Sequence, residues 1–118
     1  RIIEEMKEKP KVVIWENVKG VLDKNMRASF FHYLKEMERL GYESKYKILN
    51  AMDFGIPQNR KRIFVVSILG QNDFDFETLK KAETRSIDDF LQKGVSDLYE
   101  VRQESMFRYL VEIIIEVI

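Results

Sequence analysis

The sequence predicts an α/β fold of packed strand and helix layers, and three observations carry that expectation. Val12, Val13, Ile14 and Trp15 form an unbroken apolar run of strand length. From Met26 to Leu40 apolar residues return at three- and four-residue steps, the repeat of a helix with one covered face. Two later stretches, 42–49 and 63–69, are rich in Tyr, Ile and Val, which suit a pleated, half-buried surface. Strand, helix, strand in succession packs as layers, with a right-handed crossover if the first two strands run parallel.

Taken in order, residues 2–9 place Ile2, Ile3 and Met6 at helical spacing among charges, and Pro10 ends that helix because its ring disfavours helical backbone before it. The run at 12–15 shows no alternation, as expected of a strand covered on both faces of a parallel sheet, and it stops at Glu16. Met26, Phe30, Tyr33, Leu34, Met37 and Leu40 make the apolar stripe of the next helix, Lys35, Glu36, Glu38 and Arg39 fill its other face, and Gly41 closes it in a left-handed conformation. Residues 50–61 contain Gly55 and Pro57 and read as a long loop between two strands. Past Gly70, Gln71, Asn72, Asp73 and Asp75 form a polar connector. Ser86 and Asp89 resemble a capping box opening a short helix over 87–93, stopped by Gly94. Met106, Leu110, Ile113, Ile114 and Val117 fit a last helix, although the Ile run there suits a strand equally.

A length of 118 residues with 45% hydrophobic content is enough for one small packed domain. Twenty basic residues balance twenty acidic ones, so any contact with nucleic acid must be local instead of a property of the whole surface. The chain has no cysteine, which excludes disulfides, thiolate metal sites and a thiolate nucleophile. Its longest apolar stretches fall well short of the roughly 20 residues a membrane helix needs, so a soluble, cytoplasmic protein is expected. Arg1 stands where a start methionine would, with helical pattern already under way at Ile2; the chain is expected to be an internal piece of a longer one.

Two clusters have the residue types of a chemical site. Glu16 and Asn17 follow the apolar run at its carboxyl end, the edge of an open α/β sheet where ligands bind. Apolar neighbours Trp15 and Val18 would disfavour the charged carboxylate and equip it to give a proton at neutral pH. A carboxylate there can equally cap the next turn or sit in water. Gln58, Arg60 and Arg62 are spaced two apart; on an extended backbone all three share one face, while Asn59 and Lys61 take the other. Guanidinium forks hold carbonyl and phosphate oxygens in fixed planar geometry. Alternatively the cluster is an exposed basic turn with surface ion pairs of small value. His32, on the flank of its helix and without a second ligand at suitable spacing, reads as solvated, and Phe30, Phe31 and Tyr33 read as core rather than as a base-stacking platform. Neither a Gly-x-Gly-x-x-Gly turn nor a P-loop is present.

Together, Lys9-Pro10-Lys11-Val12-Val13-Ile14-Trp15-Glu16-Asn17-Val18 and Asn50-Ala51-Met52-Asp53-Phe54-Gly55-Ile56-Pro57-Gln58-Asn59-Arg60-Lys61-Arg62-Ile63-Phe64 resemble two signature blocks of the DNA cytosine-5 methyltransferases, in the right order and with a helix ending in Leu40-Gly41-Tyr42 between them. Glu-Asn-Val alone is weak; the second block is specific. A fainter likeness runs through 85–91, similar to the lead-in to that family's target-recognition region. The resemblance implies a partial Rossmann-like methyltransferase domain, three-layered with a mixed sheet, over 1–70, and a connector with the start of the recognition region over 71–118.

It further implies a reaction in which a cytosine flipped out of double-stranded DNA is attacked at carbon 6 by a cysteine, and S-adenosylmethionine methylates carbon 5. In that scheme Glu16 contacts the ring nitrogen and exocyclic amine, Arg62 holds the base carbonyl, Arg60 and Gln58 support the site or its phosphate contacts, Lys61 adds to DNA positioning, and Asn17 fixes the backbone around Glu16. The family's Gly-rich cofactor turn and Pro-Cys loop are not in this sequence. The chain alone is therefore expected to be inactive and to bind the cofactor poorly, and a cognate restriction endonuclease is a functional partner to expect. The competing expectations are a non-catalytic DNA-binding or structural module derived from such a domain, and an unrelated α/β domain whose Glu16 and arginines form structural ion pairs.

Overall fold

The computed structural model describes residues 2–96, 98, 108 and 110–114. It contains helix α1 (Ile2–Glu5), strand β1 (Val12–Val18), a 3₁₀ turn (Lys19–Leu22), helix α2 (Arg27–Arg39), strand β2 (Tyr42–Asn50), a 3₁₀ turn (Ala51–Asp53), strand β3 (Lys61–Leu69), and two further 3₁₀ turns, Phe76–Thr78 and Ile87–Asp89. The chain divides into two compact units, Arg1–Asn50 with Lys61–Lys80, and Ala51–Arg60 with Lys81–Ile118.

In the first unit the three strands form a sheet in the order β1-β3-β2, and β3 is antiparallel to both neighbours. The fold is α/β as expected, but β1 is not a strand within a parallel sheet. It is an edge strand, and its exposure alternates residue by residue. The reason lies in which faces are covered. Trp15 packs on α2, its ring 5.8 Å from Phe30 and stacked 5.2 Å from Tyr33, whereas Val12, Ile14 and Val18 on the opposite face remain about half or more exposed, at 49%, 67% and 50%. An unbroken apolar run supplies two apolar faces; among the described residues the Trp15 face is partly buried and the other is exposed.

The core lies between α2 and the sheet. Phe30 and Met37 of α2 are buried, and Phe30 joins Val21, Ile63 and Val65 in one cluster against which Trp15, Leu22, Tyr33 and Leu34 pack. Tyr46 of β2 meets Phe30 edge-on, with centroids 5.1 Å apart. Below Tyr33, Ser67 is fully buried and shares a 2.7 Å hydrogen bond with Ser44, its directly opposed partner on β2. Burial pushes the Tyr33 phenol above its ordinary value of 10.0, with the Ser67 hydroxyl offsetting part of the shift. Because the folded value exceeds the unfolded one, this group's contribution to stability is complete below the unfolded value and is lost as pH rises through the folded one. Alkaline denaturation followed by circular dichroism should accordingly lose one component in Tyr33→Phe.

Gly41 ends α2 at φ 91°, where a side chain would be strained, and its carbonyl accepts from the Gly70 amide at 2.9 Å, joining the start of β2 to the end of β3. The connector after β3 is fastened to the sheet by Asn72, which is 2% exposed. Its amide nitrogen donates to the carbonyls of Val66 (2.8 Å) and Glu43 (2.9 Å), and its side-chain oxygen accepts from the Phe74 amide (3.0 Å). Lys45 donates to the Phe74 carbonyl, and Lys47 pairs with Glu77. At the other end of the unit, α1 is shorter than the predicted 2–9 helix; Glu4 reaches Arg39 at 2.7 Å, and that guanidinium holds the Glu4 carboxyl below the usual range.

In the second unit the loop 51–60 is closed by the Ala51 amide donating to the Arg60 carbonyl at 3.1 Å. Ser86 does act as a cap, accepting from the Asp88 amide at 3.2 Å, but the helix predicted over 87–93 is only the turn Ile87–Asp89. Asp89 does not reach back as a capping-box partner would; it pairs with Arg85, whose guanidinium also lies 4.6 Å over the Phe90 ring. Residues 108 and 110–114 are helical, in agreement with the helical alternative there, while Met106 and Val117 fall outside the described residues.

Candidate functional site

Strand β1 continues past the predicted stop at Glu16 and ends at Val18, so Glu16 and Asn17 are strand residues. The antiparallel register then places Glu16 opposite Phe64 and Val18 opposite Arg62, and residues two apart on a strand share a face. Glu16 and Arg62 are therefore diagonal neighbours on the same face of the sheet. Arg62 Nε lies 3.2 Å from Glu16 Oε1, with the arginine side chain 24% and the glutamate 45% exposed. A second guanidinium nitrogen, Nη1, donates to the Lys61 carbonyl at 3.0 Å, which holds the fork to its own strand.

The apolar surroundings expected for Glu16 are not found. Trp15 points to the α2 side, and the carboxyl group is half exposed beside a guanidinium instead of enclosed by hydrocarbon. Asn17 turns its side chain back on the chain, its oxygen accepting from the Val18 amide at 2.8 Å, a local bond that stiffens the strand directly after Glu16.

The shared face expected for Gln58, Arg60 and Arg62 fails for a definite reason. Strand geometry begins only at Lys61, opposite Asn50. Before it, the Gln58 amide donates to the Ile56 carbonyl (2.8 Å) and the Arg60 amide to the Gln58 carbonyl (2.9 Å), two tight turns that interrupt an extended backbone. Of the three, Arg62 alone is on β3; Gln58 and Arg60 are exposed residues of the loop in the second unit, and Lys61 is exposed at the start of the strand. His32 is exposed, as expected. Among the described residues no group of three or more His, Asp or Glu side chains could hold a metal ion, and no helix is long and apolar enough to cross a membrane.

One arrangement was missed at the sequence level. Residues 82–85 run along the turn 52–55: Phe54 bridges Ala82, the Ala82 amide donates to the Asp53 carbonyl (2.9 Å), the Arg85 amide to the Gly55 carbonyl (3.3 Å), and Thr84 Oγ1 to the Met52 carbonyl (2.8 Å). The signal available was Gly55 at a position that must take φ 86°, but nothing in composition marks residues 82–85 as its neighbour.

A carboxyl group and a guanidinium side by side on an open face offer one group that can accept or give a proton and one that can only donate hydrogen bonds. That pairing complements a planar ring edge carrying a donor, a basic nitrogen and a carbonyl. The family model for C-5 cytosine-specific DNA methylases matches residues 1–112. The chain belongs to the C-5 cytosine-specific DNA methylases. Among similar methylases, the Type II methyltransferase M2.ScrFI of Lactococcus lactis subsp. cremoris is 43% identical over 99 residues, covering 83% of this chain and 27% of that protein. The Type II methyltransferase M.SsoII of Shigella sonnei is 38% identical over 104 residues, covering 84% and 27%. The chain thus spans about a quarter of the length of these relatives. In fold it is similar to the Dnmt2 methyltransferase of S. pombe (TM-score 0.68, 20% identity, 94% of this chain and 37% of that one) and to the Entamoeba histolytica methyltransferase EhMeth (TM-score 0.65, 22% identity, 84% and 30%). A small antiparallel sheet with helices is what this segment contributes to a methylase fold.

Proposed function

We propose that this chain is the base-holding segment of a DNA cytosine-5 methyltransferase that uses S-adenosylmethionine and acts within a restriction-modification system, with residues 1–70 part of the catalytic domain and 71–118 leading into target recognition. The observation that carries the reading is the Glu16–Arg62 pair, 3.2 Å apart on one sheet face, in a member of the cytosine methylase family. The Glu16 carboxyl would accept from the exocyclic amine of a cytosine flipped out of double-stranded DNA and place a proton on its ring nitrogen. Arg62 would donate to the base carbonyl, where negative charge grows as the neighbouring carbon is attacked. Asn17 keeps the strand beside Glu16 in place. Gln58, Arg60 and Lys61 serve duplex positioning through phosphate or sugar oxygens.

The residues around Glu16 and Arg62 do not fit S-adenosylmethionine. Val12, Ile14 and Val18 face solvent on that side of the sheet, so the described residues there offer no enclosure for an adenosine, and no step through the cofactor is assigned to them. The open groove of about 730 Å³ lined by Phe31, Leu34, Lys35, Tyr42 and Glu43 lies at the other end of β2.

The 118-residue chain by itself should transfer no methyl group, because it has no cysteine to add to carbon 6. A tritium-transfer assay on cytosine-containing duplex and calorimetry with the cofactor measure the two halves of this expectation; methyl incorporation by the pure chain would refute it. Weak duplex binding through Arg60 and Lys61 should persist and fall about tenfold between roughly 50 and 200 mM salt, as two phosphate contacts imply. A second reading is a DNA-binding module without catalysis of its own. Sequencing the DNA on both sides decides between them: an adjoining Pro-Cys loop and Gly-rich turn support the enzyme, and their absence the module.

A further inference from the structure

We propose that residues 81–85 are a positioning strap for the loop that carries Gln58 and Arg60, and that Thr84 is its key side chain. The inference rests on the reading above that this loop meets duplex DNA. Three carbonyls of the turn, those of Met52, Asp53 and Gly55, accept from Thr84 Oγ1, the Ala82 amide and the Arg85 amide. Lys81 lies 3.9 Å from the Asp53 carboxylate on the same edge. The strap approaches so closely that a Cβ on Gly55 would lie 3.4 Å from the Glu83 carbonyl oxygen and 3.5 Å from Ala82 Cβ, at a φ that side chains rarely adopt.

The rest of the loop is fixed from within. Phe54 and Ile56 amides both donate to the Ala51 carbonyl, Gln58 to Ile56, Arg60 to Gln58, and Ala51 to Arg60, so the backbone from 51 to 60 is closed on itself. Gln58 and Arg60 are exposed on this closed backbone. A loop ordered before it meets its ligand loses less conformational freedom on binding, so what orders it raises affinity without touching the ligand. Thr84 bonds to the turn through its side chain, and it acts on DNA only through the loop.

The test is a double-mutant cycle on the chain, read by fluorescence anisotropy of a labelled duplex at low salt, with amide exchange at Ala82 reporting the strap, at Phe54 the loop and at Val65 the sheet. Thr84→Val keeps shape and removes the donor; it should weaken duplex binding about fivefold in the otherwise unchanged chain, but by less than about 1.5-fold once Arg60→Gln is present, since coupled residues are not additive. Thr84→Ser should restore affinity, and Val65 exchange should stay unchanged while that at Ala82 accelerates. Equal losses in both backgrounds, or an unchanged affinity with accelerated Ala82 exchange, would show the strap to be structural only and overturn the proposal while leaving the DNA reading intact. Failure of the unsubstituted chain to bind duplex in a salt-sensitive way would overturn the DNA reading, and the strap's role with it.

Discussion

In a complete methyltransferase containing this segment, Glu16→Gln should lower the rate of methyl transfer by about 10²–10⁴-fold, the range for loss of a positioned proton donor, while leaving duplex affinity within about twofold. The amide keeps the size of the carboxyl group and can still meet the exocyclic amine, but it has no acidic proton for the ring nitrogen. Its nearest charged partner, Arg62, would lose the carboxylate 3.2 Å away but retain its bond to the Lys61 carbonyl, so the sheet face should keep its shape. Single-turnover kinetics with tritiated cofactor, beside a gel-shift titration, separate the two effects. Unchanged turnover would remove Glu16 from the chemistry; equal losses of rate and binding would make it a structural ion-pair residue.

The largest stability effect is expected at Phe30. Its ring is 3% exposed and touches Trp15, Phe31 and Tyr46 at centroid distances of 5.8, 5.6 and 5.1 Å, so Phe30→Ala removes the hub between α2 and two strands. The cost of such a truncation is about 3–5 kcal/mol, which approaches the whole stability of a small domain, roughly 5–15 kcal/mol. Urea denaturation should show a much lower midpoint, or no folded baseline, for Phe30→Ala. A midpoint within experimental error of the parent's would mean that the α2–sheet core does not hold the first unit together.

The fold was legible wherever a periodic pattern had a single interpretation. The stripe Met26, Phe30, Tyr33, Leu34, Met37, Leu40 and the closing Gly41 match α2 and its left-handed end, and both later strands fall where Tyr, Ile and Val cluster. What misled was the apolar run at 12–15. Hydrophobicity on two faces states what a strand can bury, not what covers it, and β1 is an edge strand with one face partly bare. For the site, the meeting of Glu16 and Arg62 needed only a shared sheet, which the strand pattern supplied. The placement of Gln58 and Arg60 did not follow from two-residue spacing, because local turns at Ile56 and Gln58 take up the backbone bonds before the strand begins. Contacts such as Thr84 to Met52 join residues 32 apart through a main-chain carbonyl, and main-chain acceptors leave no mark on side-chain sequence.

The place of β3 at the centre of the sheet sets the order in which the first unit can form during synthesis. Each of its neighbours precedes it in the chain, and the pairs they make with β3 cannot form until it arrives: Val12 waits for Ile68, and Tyr42 for Leu69. At about 5–20 residues per second, both strands wait several seconds for β3, β1 longest. During that interval α2 is the element able to form from local contacts, while Ile63 and Val65, which complete the cluster around Phe30, are not yet made. A nascent chain halted before Lys61 would therefore hold β1 and β2 without the strand they share, and association with other chains through those edges is its expected hazard.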